Sequence, residues 1–175
     1  MTQGMHAATT GKRDGEVELA HNPADADDAR LCFIGIVRSP WKERSACPKN
    51  MNAARETGQS ATIEIEPAFR PGLAGLAGHS HAILFTWLDR SERNLIIQKP
   101  RHAAEAKGVF ALRSPARPNP IGLHIVGLRD VDVEAGILEL DAIDALDGTP
   151  VLDIKPYFAS TDAFPAATRP DKRDA

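Results

Sequence analysis

The sequence predicts a mainly β protein: a small closed antiparallel β-barrel with one or two short helices. Three observations predict it. Short apolar runs rich in β-formers recur along the chain, about seven of them, with turn residues between. Helical spacing is confined to one short stretch. There is no internal repeat, and a set of short strands with little helix suggests an antiparallel sheet closed into a barrel.

The elements follow in order. Leu31–Val37, LCFIGIV, reads as a buried strand ended by Arg38-Ser39-Pro40-Trp41. A long polar loop then runs through Cys47-Pro48-Lys49-Asn50 to Gly58. Ala61–Glu66, ATIEIE, alternates as a half-buried strand. Pro67–Gly78 places Phe69, Leu73 and Leu76 at spacings that suit one or two helical turns, with proline at the start and glycine at the end. His81–Leu88, HAILFTWL, is the strongest central strand. Asp89–Lys107 is a polar connector interrupted by Leu95-Ile96-Ile97. Val109–Leu112 reads as a strand. Ile121–Val133 reads as a long strand alternating at Ile125, Val131 and Val133, with Gly127 marking a bulge. Gly136 is a turn, Ile137–Leu140 a strand, Asp147-Gly148 a turn, and Val151–Ile154 the last strand.

Domain organisation follows from the same pass. Residues 1–30 lack apolar periodicity and read as a flexible arm; residues 159–175 read as a flexible tail. The barrel domain is then 31–158. The chain of 175 residues is long enough for one sizeable core, and aromatics at 5% leave aliphatic side chains to fill it.

Composition excludes several functions. A net charge of −3 fits neither a strongly basic nucleic-acid binder nor an acidic tail protein. Charge is nonetheless uneven. Basic residues dominate from Arg90 to Arg117, and Asp130 to Asp153 holds acids with no Lys or Arg. Cys32, in an apolar run, reads as a buried thiol and Cys47 as a loop thiol, with no CxxC pair to bind zinc. No apolar stretch reaches the roughly 18 residues of a membrane span, and none near the start resembles a signal peptide, so the default is a soluble cytoplasmic protein. There is no GxGxxG after a strand, no Walker A loop, no HExxH and no GxSxG. The histidines are scattered, give no metal-ligand set, and His81 reads as a packed strand residue.

Two polar runs carry chemistry. In Gly108–Leu123, GVFALRSPARPNPIGL, three prolines fix φ near −65° and restrict the residues before them. Such a loop loses little entropy on ordering and suits a site built from Arg113, Arg117, Ser114 and Asn119. Leu140–Phe158, LDAIDALDGTPVLDIKPYF, sets Asp141, Asp144, Asp147, Asp153, Lys155 and Tyr157 around short apolar segments. Those groups can orient a ligand, accept a proton or stack on a base.

Together with IGIVRSPW, the CPKN loop and the SHAILFTW strand, these runs resemble the TsaA/TrmO family of methyltransferases. The resemblance implies a TsaA-like β-barrel, a homodimer, and S-adenosylmethionine bound without a Rossmann sheet. It implies an activity that methylates N6 of N6-threonylcarbamoyladenosine next to the tRNA anticodon. Carried over by position, the cofactor residues are Pro48, Lys49, Asn50, Asp89, Arg90, Arg113, Leu123, Asp141, Ala142, Ile143 and Asp144. Asp147, Lys155 and Tyr157 fall on the family's DGTP and KPY signatures and are the catalytic candidates. Arg113 would clamp the cofactor's carboxylate as a bidentate fork, Asp147 would accept a proton, and Tyr157 would meet the acceptor base. The sequence departs from the tRNA enzymes at Cys47-Pro48-Lys49-Asn50, where they carry Pro-Arg-Gln, and at Asp89-Arg90, where they carry His-Gln. The chain ends soon after KPY, which implies a short form without their C-terminal domain. The alternatives are a methyltransferase for a small molecule or another modified nucleoside, and a non-catalytic cofactor-binding module.

Overall fold

The computed structural model describes residues 13–100 and 104–168. Among these residues nine strands form: β1 Val17–Glu18, β2 Gly35–Arg38, β3 Ala61–Ile65, β4 His81–Trp87, β5 Leu95–Gln98, β6 Lys107–Gly108, β7 Ile121–Asp132, β8 Ile137–Leu140 and β9 Pro150–Pro156. Two short helices, α1 Met51–Glu56 and α2 Ala159–Asp162, accompany them. β2, β3, β8, β7, β4 and β9 close into an antiparallel barrel in that order; β1, β5 and β6 form a separate three-stranded sheet. The predicted closed barrel with short helices is therefore the fold. No helix among the described residues is long and apolar enough to cross a membrane.

The barrel core follows the period-2 pattern of its strands. Ala61, Ile63 and Ile65 point inward from β3, and Ala82, Leu84 and Thr86 from β4. Val37, Val126, Leu138, Leu140, Ile143 and Val151 complete it, each almost fully buried. In β7 the register pairs Leu84 with His124 and Ala82 with Val126, which sets Gly122, His124 and Val126 inside. Ile121, Leu123 and Ile125 consequently face outward and are exposed. Of the expected alternation at Ile125, Val131 and Val133, Val131 packs against the core, whereas Ile125 is exposed because the inward positions at its end of β7 are even-numbered, and Val133 is exposed because it lies in the turn after β7.

Several other expectations change. Cys32 is exposed, since the first barrel strand begins at Gly35 and residues before it lie outside the ladder. His81 lies on the outer barrel face, exposed. Val109–Ala111 is a 3-10 turn rather than a strand. The Arg117 guanidinium takes the carbonyls of Val109, Leu112 and Ser114, which a strand would have given to a neighbour. The β7–β8 register shift falls between Leu128 and Asp130, just beyond Gly127.

Two compact units share the chain. The barrel unit is Ala29–Asp89 with Ile121–Pro165; the other comprises the described parts of Met1–Asp28, Arg90–Pro120 and Ala166–Ala175. The expected domain over 31–158 is divided between these two units, with 90–120 in the second. That 90–120 stretch pairs with part of the expected flexible arm: Val17 lies opposite Ile97 in the β1–β5 ladder, and Glu16 accepts the Lys99 N–H at 3.0 Å. In the expected tail, the Asp162 carboxylate accepts the Phe158 N–H at 2.8 Å and holds the single turn of α2. Residues 1–12 and 169–175 of the expected flexible ends lie outside the described residues.

Candidate functional site

The barrel unit gathers three of the predicted segments. The Asn50 side chain accepts the Ala53 N–H at 3.0 Å and so caps α1, which fixes the end of the Cys47–Asn50 loop. The Trp41 indole N–H donates to the Ile143 carbonyl at 2.7 Å, and the Ser39 hydroxyl to that of Ala145 at 2.9 Å. These bonds lay the 39–50 loop across the 141–147 segment. Cys47 reports the outcome: its thiol is pushed up to about 11, by burial first and then by the charge of Asp144. Asp144 therefore stands beside the loop that carries Pro48, Lys49 and Asn50. Lys49 is exposed and makes no ion pair among the described residues.

Within the 141–144 segment the four residues have different parts. Asp141 is a clamp. Its carboxylate accepts the Gly127 and Ala142 N–H groups, both at 2.8 Å, and Arg55 Nε at 2.7 Å. Arg55 also reaches the Ile125 carbonyl at 2.7 Å, tying α1 to the barrel wall. Burial pushes the Asp141 carboxyl up, but Arg55 and the two N–H groups outweigh it and hold it below the ordinary value. The Ala142 and Ile143 side chains are buried in the core, and the Ile143 carbonyl is engaged by Trp41. Asp144 differs from Asp141 in that only one of its carboxylate oxygens is hydrogen-bonded among the described residues. Its Oδ1 lies 2.5 Å from His124 Nδ1 inside the barrel. Its Oδ2 has no partner among the described residues and is not among the buried unpaired atoms, so it reaches solvent.

The catalytic candidates do not converge. Asp147 sits in the turn before β9, where its carboxylate pairs with Lys42 at 2.8 Å and accepts the Ser39 N–H at 3.1 Å. Gly148, at φ +80°, lets that turn close, and its N–H donates to the Val37 carbonyl at 2.9 Å. Lys155 and Tyr157 lie at the far end of β9, whose seven residues extend roughly 20 Å. Lys155 pairs with Asp153 at 2.7 Å, and the Tyr157 ring lies 6.3 Å from that of His81. Sequence proximity in one polar run is thus undone by an extended strand. Asp147 borders a surface cleft of about 450 Å³ with Arg38, Ser39 and Thr62.

Asp147 is a weak base in this setting. The Lys42 hydrogen bond, followed by Ser39 N–H, holds its carboxyl below the ordinary value despite some burial. A depressed folded pKa stabilises the fold above the unfolded value of about 4 and loses that contribution as pH falls through the folded pKa. Asp147→Asn is therefore expected to lower stability at pH 7 and to leave it unchanged near pH 2. Urea unfolding of both proteins at the two pH values measures it; equal loss at both would remove the ion pair from the account.

The proline loop belongs to the other unit. Arg93 donates to the Pro118 carbonyl at 2.7 Å and Arg117 holds three carbonyls, so both guanidiniums brace the loop. Arg113 differs: it is exposed and makes no hydrogen bond or ion pair among the described residues. Asp89 is exposed just after β4, and Arg90 already has an interaction partner. Leu123 is exposed on the outer face of β7. Arg101, part of the basic block, and His102 lie outside the described residues.

Two residues of this arrangement were not singled out from sequence. His124 and Arg55 hold Asp144 and Asp141 respectively. The available signal for His124 was a polar residue at an inward position of an otherwise apolar strand, opposite a second strand with an inward Thr86. Arg55 carries no such signal, because its partner is 86 residues away.

Residues 36–163 match the family model described as the tRNA-methyltransferase O N-terminal domain, a span that contains every candidate site residue. A probable S-adenosyl-L-methionine-binding protein of Archaeoglobus fulgidus is 43% identical over 134 residues, 77% of this chain and 35% of that protein. The tRNA (adenine(37)-N6)-methyltransferase of Escherichia coli is 36% identical over 141 residues, 77% of this chain and 60% of that enzyme. A crystal structure of TrmO from Pseudomonas aeruginosa aligns with a TM-score of 0.67 at 36% identity, over 86% of this chain and 64% of its own. The chain thus spans less than two thirds of each of these three relatives. Barrel and matches together define the class, the closed β-barrel domains that resemble the one in TrmO. Within that class the chain belongs to the tRNA-methyltransferase O N-terminal domain family.

Proposed function

We propose that this chain transfers the methyl group of S-adenosylmethionine to N6 of N6-threonylcarbamoyladenosine beside the tRNA anticodon. The observation that carries the reading is that the matched span contains the whole candidate site, at 36% identity to a tRNA adenine-N6 methyltransferase. The residues present suit the cofactor. A free guanidinium at Arg113 fits a carboxylate, and the open Asp144 Oδ2 fits ribose hydroxyls. Pro48, Lys49, Asn50, Asp89, Arg90 and Leu123 are kept as cofactor contacts, with the Ala142 and Ile143 backbone. When bound, the sulfonium supplies an already activated methyl group, so this chain's residues mainly position the acceptor and help remove its proton. Tyr157 and Lys155, on the outer barrel face, are proposed to meet the acceptor. Asp147, held by Lys42, serves as a base only if that pair opens. The exposed apolar residues Ile121, Leu123 and Ile125 support a homodimer, which sedimentation of the purified chain reads directly, and a cytoplasmic location goes with the tRNA reading.

The test is methyl-labelled S-adenosylmethionine incubated with total tRNA, followed by nucleoside digestion and mass spectrometry. Label on the threonylcarbamoyladenosine nucleoside is expected, with RNA binding that weakens steeply with salt. Saturable cofactor binding without label in any RNA would overturn the tRNA acceptor. The second reading, cofactor binding without transfer to RNA, is favoured by the Archaeoglobus relative, whose name records binding only.

A further inference from the structure

Inside the barrel, a hydrogen-bonded chain runs from the core to the site. Thr86 Oγ1 lies 3.0 Å from His124 Nε2, and His124 Nδ1 lies 2.5 Å from Asp144 Oδ1. Thr86 is fully buried, the His124 side chain is 6% exposed and that of Asp144 is 18% exposed, so the chain opens outward only at the carboxylate. A histidine in an aliphatic core costs free energy unless both ring nitrogens are satisfied, and here they are. An ionised Asp144 accepts only, which makes Nδ1 the donor. In a neutral ring the Thr86 hydroxyl then donates to Nε2.

We propose that His124 is a positioning residue for the cofactor site, holding Asp144 with Oδ1 turned inward and Oδ2 free to accept from the vicinal hydroxyls of a nucleoside ribose. This rests on the reading of Asp144 as a cofactor contact. Without the Nδ1 bond, the carboxylate rotates about its side-chain torsions and loses the single orientation that a two-point hydroxyl contact needs. The chain also explains why the strand residue beside it is Gly122: a Cβ there would lie 2.3 Å from Thr86 Oγ1 and 2.7 Å from His124 Nε2.

The deciding experiment compares His124→Asn with His124→Gln. The asparagine amide nitrogen takes the place of Nδ1 and keeps the bond to Asp144; the glutamine amide takes the place of Nε2 and keeps only Thr86. Calorimetric titration with S-adenosylmethionine and S-adenosylhomocysteine is expected to give His124→Asn an affinity within about threefold of wild type. His124→Gln is expected to bind at least tenfold more weakly, about 1.4 kcal/mol. Asp144→Asn combined with His124→Gln should bind no worse than Asp144→Asn alone. Thermal unfolding of every variant separates folding from binding. A purely structural histidine predicts that affinity follows stability in both variants, and that result overturns the proposal. Asp144→Asn with unchanged affinity overturns it too, while leaving the methyltransferase reading intact. Failure of the wild type to bind either ligand removes both.

Discussion

Gly122→Ala is expected to destabilise the protein by about 2–6 kcal/mol, enough to use up much of the roughly 5–15 kcal/mol typical of a domain. The origin is a close approach across two paired strands. Gly122 lies directly opposite Thr86 in the β4–β7 ladder, and both point into the barrel. A methyl group at 2.3 Å from the Thr86 oxygen has no room, so a strand must shift or the threonine must turn away. Overpacking of this kind costs about 1–3 kcal/mol. A displaced Thr86 leaves His124 Nε2 without its partner in the core, which adds about 1–3 kcal/mol. Urea unfolding with a constant m-value measures the sum. A change within about 0.5 kcal/mol would mean that the barrel breathes freely at this point and that the buried chain is loosely held.

Arg113→Ala is expected to weaken S-adenosylmethionine binding at least tenfold, or about 1.4 kcal/mol, with little effect on stability. Its guanidinium braces nothing among the described residues, so its removal leaves no buried group unpaired. A charge-assisted bond to a carboxylate is worth about 1.5–3 kcal/mol, which sets the size. Arg113→Lys should recover part of the affinity, because an ammonium offers a point charge without the planar fork. Arg117→Ala is the contrasting variant. It frees the carbonyls of Val109, Leu112 and Ser114 and should lower stability. Calorimetric titration and thermal unfolding of all three separate the roles. Unchanged affinity in Arg113→Ala would remove it from the site.

The sequence by itself determined the barrel, the placement of its strands and the family. Alternation in ATIEIE and the run HAILFTWL fix which residues face inward, because the side-chain period of a strand is local. The family resemblance rested on long contiguous stretches such as GVFALRSPARPNPIGL, which are also read without folding. What the sequence did not determine was who touches whom. Two arginines of one proline loop look alike in the sequence, yet Arg117 is spent on carbonyls and Arg113 is not. Asp147 and Tyr157 look clustered, yet an extended strand separates them, since each strand residue advances about 3.3 Å. His124 looks like a scattered histidine until β4 and β7 pair and the segment after β8 returns to bring Asp144 onto its ring. Such contacts join residues 20 and 38 positions apart through side chains of specific direction. Local pattern carries no information about those directions until strand register and loop path are both set.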